Sequence, residues 1–592
     1  MRRQLPLSRL AFIAPLAVSA LAACDDSPAP GRLNLALDDG SAFFRLRIYP
    51  GSPGADLTGK TLFDTGCIQQ RSRTYELSNI PVGEGYAVVY EGFPRSPCSV
   101  SERLSLGFRG GLAVTKDGQP YAHVQVFATS AATALPEDIN LSASAARPVD
   151  SCSTDTDCGA ANEICFDDAA PSFWCVPSCV ADTDCASIHP RATCDAEAGW
   201  CMLFNPYPLN MSEPRALGAA ATLSNGDVVL FGGLEQEGAV AAGPTASFQT
   251  TTFPLERFDA KTGLFAAVTV TGDDASPGGE FGFGELGNDR FVAIGGISRL
   301  QLGWGQSGLA FDAAWSQDLL AQIIVWDLAS GTARLSQLGQ GQARATVVTL
   351  DSDTFVAIGG IAPAAQGVEG KKGTLICDVA PDLSAGCRGG PTLTTARQSP
   401  AALCLDASCE RILVVGGNTE GAFAEVLDRD QNKATALTTR GLPDKLFGPI
   451  LCGFDLVGGS RDLLRADPTV AVRLTLDGDE LEGNALAGSP ETSYFATVAP
   501  ASAAFGSGTQ CHLAGGLSEA GLSAELVRVG SSRFEPKATL TRPRFGAQSA
   551  VIGSGPLAGA VLVTGGLALP GPANAPETGR LAPVRGAEVY LP

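Results

Sequence analysis

Seven short apolar runs, each closed by a pair of glycines, mark the chain beyond residue 200. They are Val228-Val229-Leu230-Phe231-Gly232-Gly233, Phe291-Val292-Ala293-Ile294-Gly295-Gly296, Phe355-Val356-Ala357-Ile358-Gly359-Gly360 and Ile412-Leu413-Val414-Val415-Gly416-Gly417. Leu456-Val457-Gly458-Gly459, His512-Leu513-Ala514-Gly515-Gly516 and Val561-Leu562-Val563-Thr564-Gly565-Gly566 follow. Their first glycines are 63, 64, 57, 42, 57 and 50 residues apart. Apolar runs without polar alternation predict strands buried on both faces. A glycine pair just after such a strand lets another backbone pass where a side chain would clash. Recurrence at this interval predicts one four-stranded unit per repeat with a loop of variable length. Nearer the N-terminus, Phe43 to Tyr49, Tyr86 to Tyr90 and His123 to Phe127 are strand-like segments of a different, non-repeating kind.

Composition agrees with a β-rich body, since 70 glycines break the chain into short runs, and 592 residues must divide into several domains. The 17 cysteines sharpen the division. Eight of them, Cys152, Cys158, Cys165, Cys175, Cys179, Cys185, Cys194 and Cys201, crowd into one segment that is internally duplicated. Ser151-Cys152, Asp155-Thr156-Asp157-Cys158, Cys165 and Trp174-Cys175 are echoed by Ser178-Cys179, Asp182-Thr183-Asp184-Cys185, Cys194 and Trp200-Cys201. Each half is too small to bury a core, so disulfides are expected to replace one, two within each half. Close C-x₂-C pairs suited to zinc are missing, and no EF-hand-like ligand set accompanies the Asp-Thr-Asp repeats. Turn and capping roles suit those aspartates better than calcium. Cys67 and Cys98 are expected to pair. So are Cys404 and Cys409, which flank a four-residue turn, and Cys377 and Cys387, which would close a loop; elimination then joins Cys452 to Cys511.

The N-terminus places the chain outside the cytoplasm. Arg2, Arg3 and Arg9 precede an apolar stretch from Leu10 to Ala23, too short to span a bilayer and of the length of a signal peptide. Leu21-Ala22-Ala23-Cys24 resembles a lipobox, which implies diacylglyceryl transfer to Cys24 and a bacterial envelope lipoprotein, in the periplasm or at the cell surface. Loss of the leader removes three arginines and no acids, taking the net charge from −21 to −24. That charge repels phosphates and argues against nucleic-acid partners. The boundaries that follow are a leader at 1–23, a tether at 24–32, a β-sandwich-like domain at 33–147, the cysteine-rich module at 148–201 and the repeats at 202–592. Glu76 to Gly83 resembles a short stretch of the small transthyretin-like sandwiches, which implies a spacer.

The seven Gly-Gly strands in phase resemble kelch repeats. Glu256 to Phe265 is similar to a kelch third strand, turn and fourth strand, with Phe265 where that family usually has tryptophan. Ile323-Ile324-Val325-Trp326-Asp327 and Ala587-Glu588-Val589-Tyr590 are similar to third strands. The resemblance implies an all-β fold, a seven-bladed propeller preceded by a small sandwich and a disulfide-rich module. The chain ends two residues after a third strand, so the last blade needs a fourth strand from elsewhere, and a segment within roughly 202–210 is expected to supply it.

Galactose oxidase is also a seven-bladed kelch propeller, and its family's copper site uses two histidines. Of His123, His189 and His512, only His512 lies among the repeats, so neither that metal site nor any other cofactor is expected. Serine-hydrolase logic lacks a base, and no phosphate-binding glycine loop occurs. Kelch repeats often carry arginine at the mouth of the channel. Arg215, Arg344, Arg397 and Arg544 lie 17, 15, 19 and 21 residues before their Gly-Gly pairs. By resemblance to a kelch adaptor that captures acidic peptides, these four imply a carboxylate-bearing ligand, their guanidiniums forking onto it. The alternative is that they brace loops or pair with neighbouring aspartates, with Glu280 in the matching place of the second repeat a candidate partner. The resulting expectation is a lipid-anchored binding platform for a protein or glycan, with a carbohydrate-active enzyme, an isomerase or oxidase-like, as the other reading.

Overall fold

In the computed structural model, strands make up nearly all regular structure; among the described residues the helices are the 3₁₀ turn Val100–Glu102 and the single turn Asp182–Cys185. The structure describes residues 30–592 apart from 38–40, 72–73, 117–121, 135–138, 141–146, 150–162, 168–172, 186–192, 196–199, 204–209, 238–244, 274, 306–307, 312–317, 366, 461–469, 488–496, 501–510, 519–520, 530–533 and 570–580. No helix among the described residues is long and apolar enough to cross a membrane.

The first eight strands follow one hydrogen-bonded path instead of the two stacked sheets of a sandwich. The path runs Phe63–Asp64, Phe43–Tyr49, Gly83–Phe93, Ser105–Val114, Ala122–Ala128, Pro30–Leu37 and Thr74–Pro81, with Ile68–Gln69 also on Phe43–Tyr49. It curls into a nearly closed barrel. Strand periodicity gives the curled sheet one buried face. Phe44, Leu46 and Ile48 point to one face and are wholly buried, in a core that also takes Leu35, Val88 and Tyr90. The alternate residues Arg45 and Arg47 lie on the other face, where they pair with Asp64 and with the buried Glu91. The disulfide Cys67–Cys98 ties two loops of this sheet together.

Each half of the cysteine-rich segment contributes to a small three-stranded sheet. One contains Arg147–Val149, Phe173–Pro177 and Glu163–Asp167, the other Ile139–Asn140, Trp200–Leu203 and Thr193–Asp195. In the second half Cys179 is bonded to Cys194 and Cys185 to Cys201. Asp184 Oδ2 accepts the amides of Val180 and Ala181, so this aspartate of the Asp-Thr-Asp repeat caps a turn.

Beyond residue 210 the described residues form seven antiparallel meanders in chain order, of four strands each except the last, which has three of its own; in the second and fifth sheets a further strand pairs parallel with the outer one. Sheet one is Ala219–Thr222, Val228–Phe231, Leu255–Asp259 and Leu264–Ala267. The first strands of the next sheets are Gly282–Gly287, Thr346–Thr349, Ala401–Cys404, Phe447–Cys452, Thr497–Pro500 and Gln548–Val551. In every sheet the second strand is one of the apolar runs, and in sheets one to four it is buried throughout except at an N-terminal residue.

The seventh sheet departs from expectation at its outer edge. Its third strand, Ala587–Leu591, pairs with Ala131–Ala134, aligning Tyr590 with Ala132 and Glu588 with Ala134. The closing strand therefore comes from the N-terminal side of the cysteine-rich segment, not from 202–210; Leu203 is instead aligned with Ile139, and 204–209 lie outside the described residues. The N-terminal sheet is consequently no detached spacer. Tyr49, Val89 and Phe108 share a core with Val228, Phe265 and Val589, and the Gly110 amide donates to the Thr262 carbonyl at 3.3 Å.

The paired glycines explain how successive sheets join. The amide of the second glycine donates to a carbonyl just ahead of the next sheet: Gly233 to Gly278, Gly296 to Gln342, Gly417 to Leu446 and Gly516 to Arg544, at 2.5 to 2.8 Å. Gly566 of the last sheet donates to Arg215, ahead of the first, at 2.8 Å. A Cβ on Gly295 would lie 2.1 Å from the Gln342 carbonyl, and one on Gly565 2.2 Å from that of Arg215. Both residues also sit at positive φ. Glycine is required on both counts.

Candidate functional site

The first strands converge. Ala219–Thr222 lies against Gln548–Val551, which also lies against Thr497–Pro500; Gly282–Gly287 lies against Thr346–Thr349, then comes Ala401–Cys404, then Phe447–Cys452. Where they begin, six sheets share one backbone device. Leu217, Glu280, Arg344, Ser399 and Gly546 precede first strands, Gly448 is the second residue of one, and all six adopt positive φ, between 47° and 61°. Four hydrogen bonds link neighbouring main chains among them. Leu217 donates to the Gly546 carbonyl, Glu280 to Leu217, Arg344 to Glu280 and Gly448 to Ser399, at 2.7 to 3.2 Å. Four non-glycine residues held in the left-handed region around one point mark a place where backbone strain is accepted. For the sixth sheet the matching residues lie outside those described.

This belt surrounds a cavity of about 400 Å³, lined by all six of those residues and by the strand residues after them. Phe281, Pro400 and Pro449 supply apolar wall, and Thr346, Gln548 and Ser549 supply polar groups. Glu280 and Arg344 are its charged lining. The Arg344 guanidinium places Nε 2.6 Å and Nη2 2.9 Å from the two Glu280 oxygens, a bidentate fork with both side chains nearly inaccessible.

The four arginines expected at a ligand pocket fall into two groups. Arg215, Arg397 and Arg544 are buried away from the cavity and brace their own sheets. Each donates Nη1 to the carbonyl of the first glycine of its pair, Gly232 at 3.3 Å, Gly416 at 2.5 Å and Gly565 at 3.0 Å. Each pairs with a glutamate on the third strand of its sheet, Glu256, Glu425 or Glu588. The same glutamates accept the amide of a residue three before the arginine, Ser212, Thr394 or Thr541. Burial pulls the Arg215 and Arg397 guanidiniums below their usual value, and Glu256 and Glu425 counter it. Buried, with Nη1 on a protein carbonyl and the charge met by glutamate, these three have no fork to offer a ligand. Arg344 alone of the four lines the cavity. It is the positive-φ residue itself, whereas the others stand two residues before theirs.

Sheets lacking the arginine also lack the glutamate. Gln342 stands at the arginine position of sheet three, and Leu375 faces Ala357 where Glu425 faces Val414 in sheet four. In sheet two Gly278 goes with Ile324, aligned with Ala293. A buried charge occurs here with its partner or not at all. This pairing across repeats is the signal that would have identified the braces from the sequence.

His512 is no ligand of the cavity. It is buried in the second strand of sheet six, its ring 6.0 Å from that of Tyr590. Burial, aided by the positive charges of Arg528 and Lys537, pushes its pKa down to about 4. Among the repeats, Cys377 is bonded to Cys387, Cys404 to Cys409 and Cys452 to Cys511, the last joining sheets five and six. Cys24, His189 and the side chains of His123, Cys152, Cys158, Cys165 and Cys175 lie outside what the structure describes. No protein-family model matches the chain, and no curated protein matches it.

Proposed function

We propose that this chain is an exported bacterial lipoprotein, anchored through Cys24, whose seven sheets form a closed kelch-type propeller that serves as a binding platform for a protein or glycan. The cavity carries this reading: six first strands start around it, four of them from a non-glycine residue held in the left-handed region. Concave sites with a few fixed polar groups on a rigid scaffold are where ligands bind. Ring closure is supported by the Gly566 to Arg215 hydrogen bond between the last and first sheets. It is supported further by Ala131–Ala134, which fills the outer place in the seventh sheet. Envelope anchoring rests on the charged leader and Leu21-Ala22-Ala23-Cys24, and an oxidising compartment suits the disulfides.

The test is a pull-down from detergent-solubilised envelopes with the full-length chain, comparing wild type with Ser399→Trp, which would fill the cavity. A partner or glycan recovered with wild type and lost with a folded variant is the expected result. Identical recoveries would overturn the platform reading. Absence of lipid label on wild-type chain, or label persisting in Cys24→Ala, would overturn the anchor.

A further inference from the structure

We infer that Ser399 is the residue with which the cavity holds its ligand, and that the group it holds is an acyl oxygen, the amide carbonyl of an N-acetylated sugar or the carboxylate of an acidic one. This inference rests on the reading of the cavity as the binding site.

The belt around the cavity singles this residue out. Six positions adopt positive φ, and glycine, which does so freely, holds two of them, Gly448 and Gly546. At the other four a side chain is kept in a conformation that L-residues avoid. Three of those side chains are occupied within the protein. Leu217 packs into an apolar core with Phe545 and Leu567, and Glu280 and Arg344 close on each other through two contacts. Ser399 does neither. Its Oγ bonds to no described residue and is not sealed from solvent. The proline that follows it, Pro400, also drives the residue before it towards extended backbone, so Ser399 is held at a φ of +47° against that preference as well. Strain kept at a cavity wall, by a side chain with no structural partner, points to a ligand.

The main chain of the same residue is available too. The Leu217, Glu280 and Arg344 amides each donate to a carbonyl of the neighbouring belt residue. The Ser399 amide donates to no described residue, and only its carbonyl is engaged, by the Gly448 amide at 3.2 Å. One half-buried residue of the wall thus offers two donors, N–H and O–H. Two donors side by side suit an oxygen with two lone pairs and no proton of its own, which is an acyl oxygen. Glu280 and Arg344, the charged lining, neutralise each other, so charge does not choose between the carbonyl and the carboxylate. Size favours a glycan end over a protein surface. A volume of about 400 Å³ suits a small ligand, whereas protein partners dock over roughly 800 Å² each.

The test is binding of the full-length protein in detergent to N-acetylhexosamine and uronic-acid oligosaccharides, each beside its de-acetylated or carboxyl-reduced counterpart. The acyl-bearing glycans are expected to bind, and their counterparts to bind roughly tenfold more weakly, the loss of one hydrogen bond. Whether the amide or the acid binds tells which acyl form is held. Ser399→Gly should weaken the acyl-bearing glycans by a similar factor. Glycine is what two other belt positions carry, so the melting temperature of this variant should hold or rise while its affinity falls. A fall in both would assign the serine to the scaffold and overturn the inference, and so would an affinity that the substitution leaves unchanged. Wild type that binds the counterparts equally well, or binds none of the probes, would overturn the acyl class, and the Ser399→Trp pull-down would then decide the platform by itself.

Discussion

Arg397 and Glu425 form an ion pair with no solvent access to either side chain, Nε lying 2.7 Å from Oε1. The guanidinium also donates to the carbonyls of Gly416, Ala422 and Phe423. One side chain thus fixes the end of the second strand, the loop after it and the start of the third. Arg397→Gln would leave Glu425 without its counter-charge in a dry interior, with an expected cost of about 3–5 kcal/mol. The double change Arg397→Gln with Glu425→Leu copies the residues that sheet three carries at these places. It is expected to cost less than the single change. Thermal melts of the four members of the cycle check this, and a double variant no better than the single would refute the brace.

Much of the fold could be read from the chain because the repeat is written in local chemistry. An apolar run such as Val228 to Phe231, followed by two glycines, signals a doubly buried strand ending at a close backbone approach, and the Gly233 to Gly278 contact is that approach. What could not be read depends on distant partners. Ala131-Ala132-Thr133-Ala134 has no strong strand pattern, and it becomes a strand because Ala587–Leu591 lies open beside it. The site was misassigned for a related reason. Counting back from the glycines put Arg344 with Arg215, Arg397 and Arg544, but loops of unequal length hide a two-residue offset in register. That offset moves a side chain from the interior of a sheet to the wall of a cavity.

Gly565→Ala tests the junction between the last and first sheets. Its Cβ would lie 2.2 Å from the Arg215 carbonyl, at a φ of +62°. Gly559→Ala is the control, since φ is +86° there but nothing lies within 4 Å of the added carbon. The control should cost about 1–2 kcal/mol, the left-handed penalty alone. The junction variant should cost clearly more, because the last and first sheets must separate as well. Equal falls in melting temperature would mean that this contact does not hold the two sheets together.

The strand Ala131–Ala134 makes the N-terminal sheet part of the repeat domain's stability. A chain starting at residue 202 would lack both the seventh sheet's outer strand and the core formed by Tyr49, Val89 and Phe108 against Phe265 and Val589. It is expected to be protease-sensitive and to expose apolar surface. Ala132→Pro in the full chain should move stability the same way, because proline cannot donate to the ladder and suits only an unpaired edge. Limited proteolysis of both forms checks this. A fragment from 202 as resistant as the full chain would show that the added strand is dispensable.

His512 gives the protein a stability that depends on pH in a definite direction. The folded environment holds its pKa at about 4, against an ordinary value of 6.5. Burial is the main cause, and Arg528 and Lys537 oppose the charged form as well. Below 6.5 the unfolded chain therefore binds a proton that the folded chain refuses, so stability falls as pH drops from about 6.5 towards 4. Above 6.5 the group contributes no slope. The full effect is at most about 3 kcal/mol, reached near pH 4. Many carboxylates titrate in the same window, so the readout must be a difference. His512→Leu keeps an apolar side chain beside Tyr590 and removes the titrating group. Relative to this variant, the wild type should lose melting temperature steadily between pH 6.5 and 4.5 and run parallel to it above pH 7. Parallel curves across the whole range would mean that the imidazole is protonated without penalty. Sheets six and seven would then be packed more openly around it than the 6.0 Å contact with Tyr590 describes.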